Sequence, residues 1–307
     1  MKIFIIFKKI LTFFWKGFFC LFFLGLNSCD SESKIISNLH KGQTYLFQSN
    51  LDSAQFFFDE AFKLDSNNLK VIDNLAELHF RKVEIGKALN YFNKSILIDS
   101  TNELTYLKIA EIKLFLGDYK SVFENVNKGL RINPMKHQAY FIKGTAYKYI
   151  GDTTKAISSF RTALELKNDF SEVYYELGLL LTLQNDPIAI EYYKRGLDLA
   201  PEDAGLKSSL AWCYDKFNKY SKANNAYYNI VSESNSYTNA KFNFAVFKYR
   251  MNQTDTALLL CNEVLDFDSL HFSCLNLKGI ILKKQGKTRE SREVKNKLLI
   301  IKSQLDK

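Results

Sequence analysis

Three prolines and two tryptophans are all that the 307 residues contain. With so few prolines, long helices can run without a break. The five cysteines form no C-x-x-C pair. They also stand at no ligand-like spacing from the four histidines, His40, His79, His137 and His271, so a metal centre is not expected. Gly-x-Ser-x-Gly, His-Glu-x-x-His and Gly-x-Gly-x-x-Gly are all missing, which removes the common sequence signals of hydrolases, zinc proteases and dinucleotide binders. No dense Lys/Arg stripe with interleaved aromatics occurs. The net charge is +9, but Lys2, Lys8, Lys9 and Lys16 lie in the first 28 residues, which contain no acid. Setting those four aside leaves 38 basic against 33 acidic residues, too mild an excess for a nucleic-acid partner. Low-complexity tracts and interdomain linkers are also absent.

What is present begins with the first thirty residues. Four lysines precede an uninterrupted apolar run from Phe18 to Leu26. Nine residues rise only ~14 Å as a helix, against the ~30 Å of a bilayer core. Basic residues, a short apolar run and then small residues make the order of an export signal. The run ends in Leu26-Asn27-Ser28-Cys29, which resembles the lipobox of bacterial lipoproteins; Asn27 departs from the usual middle residue. The resemblance implies cleavage between Ser28 and Cys29 and a lipid on Cys29. An uncleaved N-terminal anchor is the other reading. Residues 1–28 are thus expected to be a signal peptide, and residues 29–34 a lipidated cysteine with a short tether. Asp30 to Lys34, fully stretched, would reach ~17 Å.

Beyond the tether the chain repeats itself. Gly42, Ala76, Ala110, Gly144, Gly178, Ala211, Ala245 and Gly279 follow one another at spacings of 34, with a single step of 33. A second series runs Ala54, Ala88, Val122, Ala156, Ala189, Ala223, Ala257, Ser291. A third runs Ala61, Ser95, Gly129, Ala163, Gly196 and then turns larger at Ile230, Val264 and Leu298. Ala156, Phe160, Ala163 and Leu164 lie on one face of a helix, and small residues there let two helix axes approach closely. Between the faces stand Gly117, Gly151, Asn185, Asn218, Asn252 and Gly286, residues suited to the left-handed turn that closes a helix. The one short step falls at Asp186-Pro187, where Asp186 suits an N-cap and Pro187 a first helical turn.

This pattern resembles the tetratricopeptide repeat, whose unit is a 34-residue helix pair. Gly144, Tyr147, Gly151, Ala156, Phe160, Ala163 and Leu164 carry it best. Pro134 and Pro201 stand at the family's end-of-repeat position. The resemblance implies an all-α fold, a right-handed superhelical solenoid of about eight antiparallel helix pairs over residues 35–307. The tail from Glu293 onward completes a capping helix.

Chemistry is harder to find. Gly286-Lys287-Thr288 looks like the end of a phosphate loop, but that loop needs a glycine where Ile281 stands, and the flanks read as helix-turn-helix. Cys261 and Cys274 fall on neighbouring helices, as two small core residues or as a disulfide. What remains is the groove that the family lines with positions 2, 5, 9, 12 and 13 of its first helices. Phe141, Tyr149, Glu172, Tyr175, Trp212, Asp215, Phe242 and Tyr249 occupy such positions, with Glu176 beside them. Large aromatics with carboxylates suit a protein or peptide segment. The family's clamp for a carboxylate tail needs Lys or Asn at positions 5 and 9. Here position 5 reads Leu39, Asp73, Leu107, Phe141, Tyr175, Ser208 and Phe242, so that function is not expected.

The sequence therefore predicts a scaffold without catalysis, cofactor or metal, lipid-anchored in a bacterial cell envelope, with the outer membrane favoured over the inner. Its expected partner is a protein segment in the groove. The architecture also suits an assembly factor for a pilus, a secretion machine or outer-membrane proteins. A glycan binder or enzyme on a helical toroid, such as a helical-repeat glycosidase, is a lesser reading, as is an intracellular peptide-sensing regulator.

Overall fold

The computed structural model describes residues 31–233 and 238–305. Residues 1–28, Cys29 and Asp30 lie outside them. Among the described residues the structure is sixteen α-helices with no strand. The helices follow the 34-residue repeat and pack in consecutive pairs within each unit. In unit order the first are α1 (31–47) with α2 (Leu51–Leu64), α3 (Leu69–Arg81) with α4 (Ile85–Ile98), and α5 (Glu103–Phe115) with α6 (Tyr119–Ile132), followed along the chain by α7 (His137–Tyr149) and α8 (Thr153–Leu166). Then follow α9 (Ser171–Leu183) with α10 (Ala189–Leu199), α11 (Ala204–Lys216) with α12 (Tyr220–Glu233), α13 (Thr238–Arg250) with α14 (Thr254–Phe267), and α15 (Phe272–Lys284) with α16 (Thr288–Leu305). The chain divides into two compact units, one ending at Asp152 and the other beginning at Thr153. Unit 1 therefore holds α1 to α7 and unit 2 holds α8 to α16.

One turn is used eight times. Each first helix ends with a residue at positive φ: Ser49, Val83, Gly117, Gly151, Asn185, Asn218, Asn252 and Gly286. The next residue sends its N–H back to the carbonyl five positions earlier, as Asp118 does to Lys113 at 2.9 Å and Asp186 to Leu181 at 2.9 Å. That bond closes the first helix. The same residue then opens the second helix: Asn50 and Asp118 accept from the backbone N–H of Ser53 and Ser121, both at 3.2 Å. The sequence reading found six of these turns. It missed Ser49 and Val83, whose residue types do not advertise a left-handed backbone.

The small-residue seams are packed as their spacing requires. All three series are buried in the first seven repeats, whereas Gly279, Ser291 and Leu298 of the eighth are only half-buried. Nothing among the described residues stacks on the outer side of that last pair. At the short step, Asp186 accepts from the N–H of Ile188 at 3.0 Å. The helix proper begins only at Ala189, after a tight turn through Pro187, so α10 has 11 residues where α8 has 14. α16 runs 18 residues, to Leu305. Cys213, Cys261 and Cys274 are all buried free thiols. The structure thus takes the core-residue reading of Cys261 and Cys274.

Candidate functional site

Each first helix has 13 residues from α3 onward, so positions can be compared directly between repeats. In unit 2 the relevant helices are α9, α11 and α13, and adjacent ones touch. Tyr175 and Glu176 on α9 are half-buried and Glu172 is exposed. Trp212 on α11 is half-buried, with the Lys216 ammonium 5.6 Å from its ring centroid. Phe242 on α13 is half-buried beside the His271 ring at 5.5 Å, and the Lys284 ammonium lies 5.3 Å from the ring of Tyr249.

Between the N-terminal halves of these three helices is an open cavity of about 350 Å³. Tyr175, Gly205, Ser208, Ser209, Asn239 and Asn243 line it, and no charged side chain does. The Asn243 amide donates to the Ser208 hydroxyl at 3.2 Å. Hydroxyls, amides and one phenol ring around a small-residue floor suit an uncharged polar or main-chain group. Of the nine residues expected in the groove, Tyr175 alone lines this cavity; the serines and asparagines are common surface residues and carry no signal until three helices bring them together.

Asp215 was expected on the groove surface, but the structure buries it at 3% exposure. Thr182, at the same position one repeat earlier, is buried in the same way. Asp215 pairs across α11 and α13 with the Arg250 guanidinium. Its other carboxylate oxygen is buried with no hydrogen-bond partner. Burial pushes the carboxyl above its ordinary range, and Arg250 opposes that shift. Asp215 is therefore a strut between two helices.

In unit 1, Phe141 on α7 is half-buried. Tyr149 is 62% exposed and stacks on Tyr119 at 6.2 Å. A second cavity of about 370 Å³ opens beside α3 and α5. It is charged, unlike that of unit 2. Arg81 pairs with Glu77 at 3.2 Å, and Lys108 pairs with Glu77 at 3.6 Å and Glu111 at 2.9 Å. Asp73 lies on the same wall, its carboxyl pushed up by burial against a restraining hydrogen bond from Ser95. No group of His, Cys, Asp and Glu among the described residues could hold a metal ion.

The tetratricopeptide-repeat family model matches residues 36–68 and 137–170. A TPR repeat-containing protein of Methanocaldococcus jannaschii is 24% identical over 254 residues, 77% of this chain and 44% of that protein. The chain spans from a fifth to about half the length of the first curated relatives it matches. A tetratricopeptide repeat protein of Parabacteroides merdae superposes with a TM-score of 0.60 at 16% identity, covering 81% of this chain and 99% of that one. PilW, described as a widely conserved type IV pilus biogenesis factor, superposes with a TM-score of 0.58 at 20% identity, covering 64% of this chain and 91% of that one. Such identities speak for fold alone. The chain therefore carries tetratricopeptide repeats, built into an all-α architecture of stacked helix pairs.

Proposed function

We propose that this protein is a non-catalytic scaffold, fastened to a bacterial cell envelope by a lipid on Cys29, that holds a partner protein segment along α9, α11 and α13. The observation that carries the binding reading is the uncharged cavity at Tyr175, on three successive first helices that also carry the half-buried Trp212 and Phe242. Aromatic side chains supply contact area at low entropic cost, and hydroxyl and amide groups fix a main chain without demanding a charge partner. The anchor reading is supported by the sequence Leu26-Asn27-Ser28-Cys29. No helix among the described residues is long and apolar enough to cross a membrane.

The test of binding is a Tyr175→Ala, Trp212→Ala double variant, compared with the parent for helicity, melting and capture of envelope proteins from detergent extracts. Truncating an aromatic anchor typically costs ~2–4 kcal/mol, about 30- to 1000-fold in affinity. Lost capture with an intact fold supports the site. Unchanged capture moves binding elsewhere, and collapse of the fold makes these rings core. A narrower reading is an assembly factor for a pilus, a secretion machine or outer-membrane proteins; PilW, a type IV pilus biogenesis factor, shares the fold.

A further inference from the structure

Ser31 is already helical, and it stands two positions after Cys29. Four of the five residues expected to form a tether therefore belong to α1. Two residues span at most ~7 Å. A lipidated cysteine has its acyl chains in the bilayer core, and the polar region beyond that core is only about 5–8 Å deep. The start of α1 is thus leashed to the headgroup layer.

The pairing of the helices says which edge of unit 1 this is. α1 begins where the junctions 65–68, 99–102 and 133–136 lie. Ile35 packs in one cluster with Ala61 and Val71. Lys94 on α4 donates to the Ser66 carbonyl at 2.6 Å, and Asn133 and Lys136 both reach Glu103 at 3.4 Å. Along this edge Ile36 is 61% exposed, Leu97 87%, Leu104 46% and Met135 69%. The opposite edge, formed by the hairpin turns, also shows apolar groups: Phe47 is 90% exposed and Phe115 67%. Exposure alone does not choose between the edges. The length of the leash does.

We infer that unit 1 lies with its junction edge, at Ile36, Leu97, Leu104 and Met135, against the headgroup layer of the bilayer that holds Cys29. The hairpin-turn edge then faces away and stays open to partners. This rests on the lipid-anchor reading and adds an orientation to it. The contact runs through these aliphatic side chains; of the cations near them, Lys136 pairs with Glu103 at 3.4 Å and Lys63 with Glu60 at 2.5 Å, while Lys70 is exposed. Aliphatic side chains settle at the boundary of headgroup and acyl chain, with little dependence on salt or on anionic lipid.

The test uses the mature full chain in phosphatidylethanolamine and phosphatidylglycerol vesicles that contain a headgroup-nitroxide lipid. One fluorophore is placed at Ser100→Cys on the junction edge or at Gln48→Cys on the turn edge. Both positions are exposed, whereas Cys213, Cys261 and Cys274 are buried and resist labelling. Strong quenching at 100 and background quenching at 48, unchanged between ~0.05 and ~0.5 M salt, is the expected result. Adding Leu97→Asp and Met135→Asp should reduce quenching at 100 while the helical content holds. A chain whose intact mass carries the lipid on Cys29, yet whose two labels are quenched alike or not at all, overturns the orientation and leaves the anchor standing. A chain without lipid on Cys29 overturns both.

Discussion

One methyl group has opposite consequences at two glycines of this chain. A Cβ on Gly178 would stand 2.7 Å from the ring of Tyr193, which is itself fully buried and has nowhere to go. A Cβ on Gly86, in α4, would meet nothing within 4 Å. Gly178→Ala is expected to cost ~1–3 kcal/mol by overpacking. Gly86→Ala is expected to gain ~0.4–1 kcal/mol by narrowing the unfolded ensemble. Urea denaturation of both variants checks the pair, and shifts of the same sign would refute the seam as a packing constraint. Val83 is the second residue of interest. It is β-branched, has φ +61°, and is 67% exposed. A branched residue in the left-handed region costs on the order of 1–3 kcal/mol. Val83→Gly should therefore raise the melting temperature, although it removes an apolar side chain; a fall would mean that the turn tolerates valine without strain.

At the scale of helix pairs, the third seam shows how a departure from the repeat is absorbed. Several of its members pack against the residue ten positions on, at the start of the next first helix. Ser95 lies 3.4 Å from Thr105, and the place for a Cβ on Gly196 is filled by Leu206 at 2.9 Å. Where the seam turns large at Ile230, the residue ten positions on is Ala240, and both sit in one core cluster. Volume is exchanged across the interface, which keeps the helix spacing. The Asp215–Arg250 strut is the polar counterpart of such a link. Arg250→Ala leaves a buried carboxylate without its cation, but the Arg250 side chain is 49% exposed, so water replaces part of what is lost. The cost should be about 1–3 kcal/mol, below that of a fully buried pair. Asp215→Asn added to Arg250→Ala should recover a measurable part, and a double-mutant cycle by thermal melting reads the coupling. Strict additivity would show that the two side chains do not support each other.

For the molecule as a whole, the anchor decides where everything else acts. Cys29→Ser is expected to abolish lipid attachment and to block cleavage between Ser28 and Cys29. Mass spectrometry of the mature N-terminus reads both, and an unmodified Cys29 in a chain that still starts at Met1 would remove the lipoprotein reading. The repeat units themselves should fold without the lipid, because their seams are closed by neighbouring helix pairs among the described residues. The melting temperature of the Cys29→Ser variant should therefore match that of the parent.

The repeat period, the helix pairs, the six glycine and asparagine turns and the position of the short step could all be read from the order of residues. Each depends on local geometry repeated at a fixed interval, and a small side chain or a left-handed turn excludes most residue types. Tertiary structure decided what the period does not constrain. It turned Asp215 inward, where it meets Arg250 of the next first helix. It gathered Ser208, Ser209, Asn239 and Asn243 around Tyr175, although none of these residues is unusual in its own repeat. It gave Val83 the same backbone as the glycines, because the packing of α3 on α4 fixes that turn whatever residue occupies it. It also exchanged volume between Ile230 and Ala240. Such pairings belong to surfaces made by two or three helices, and a single strand of sequence specifies them only after the helices have packed.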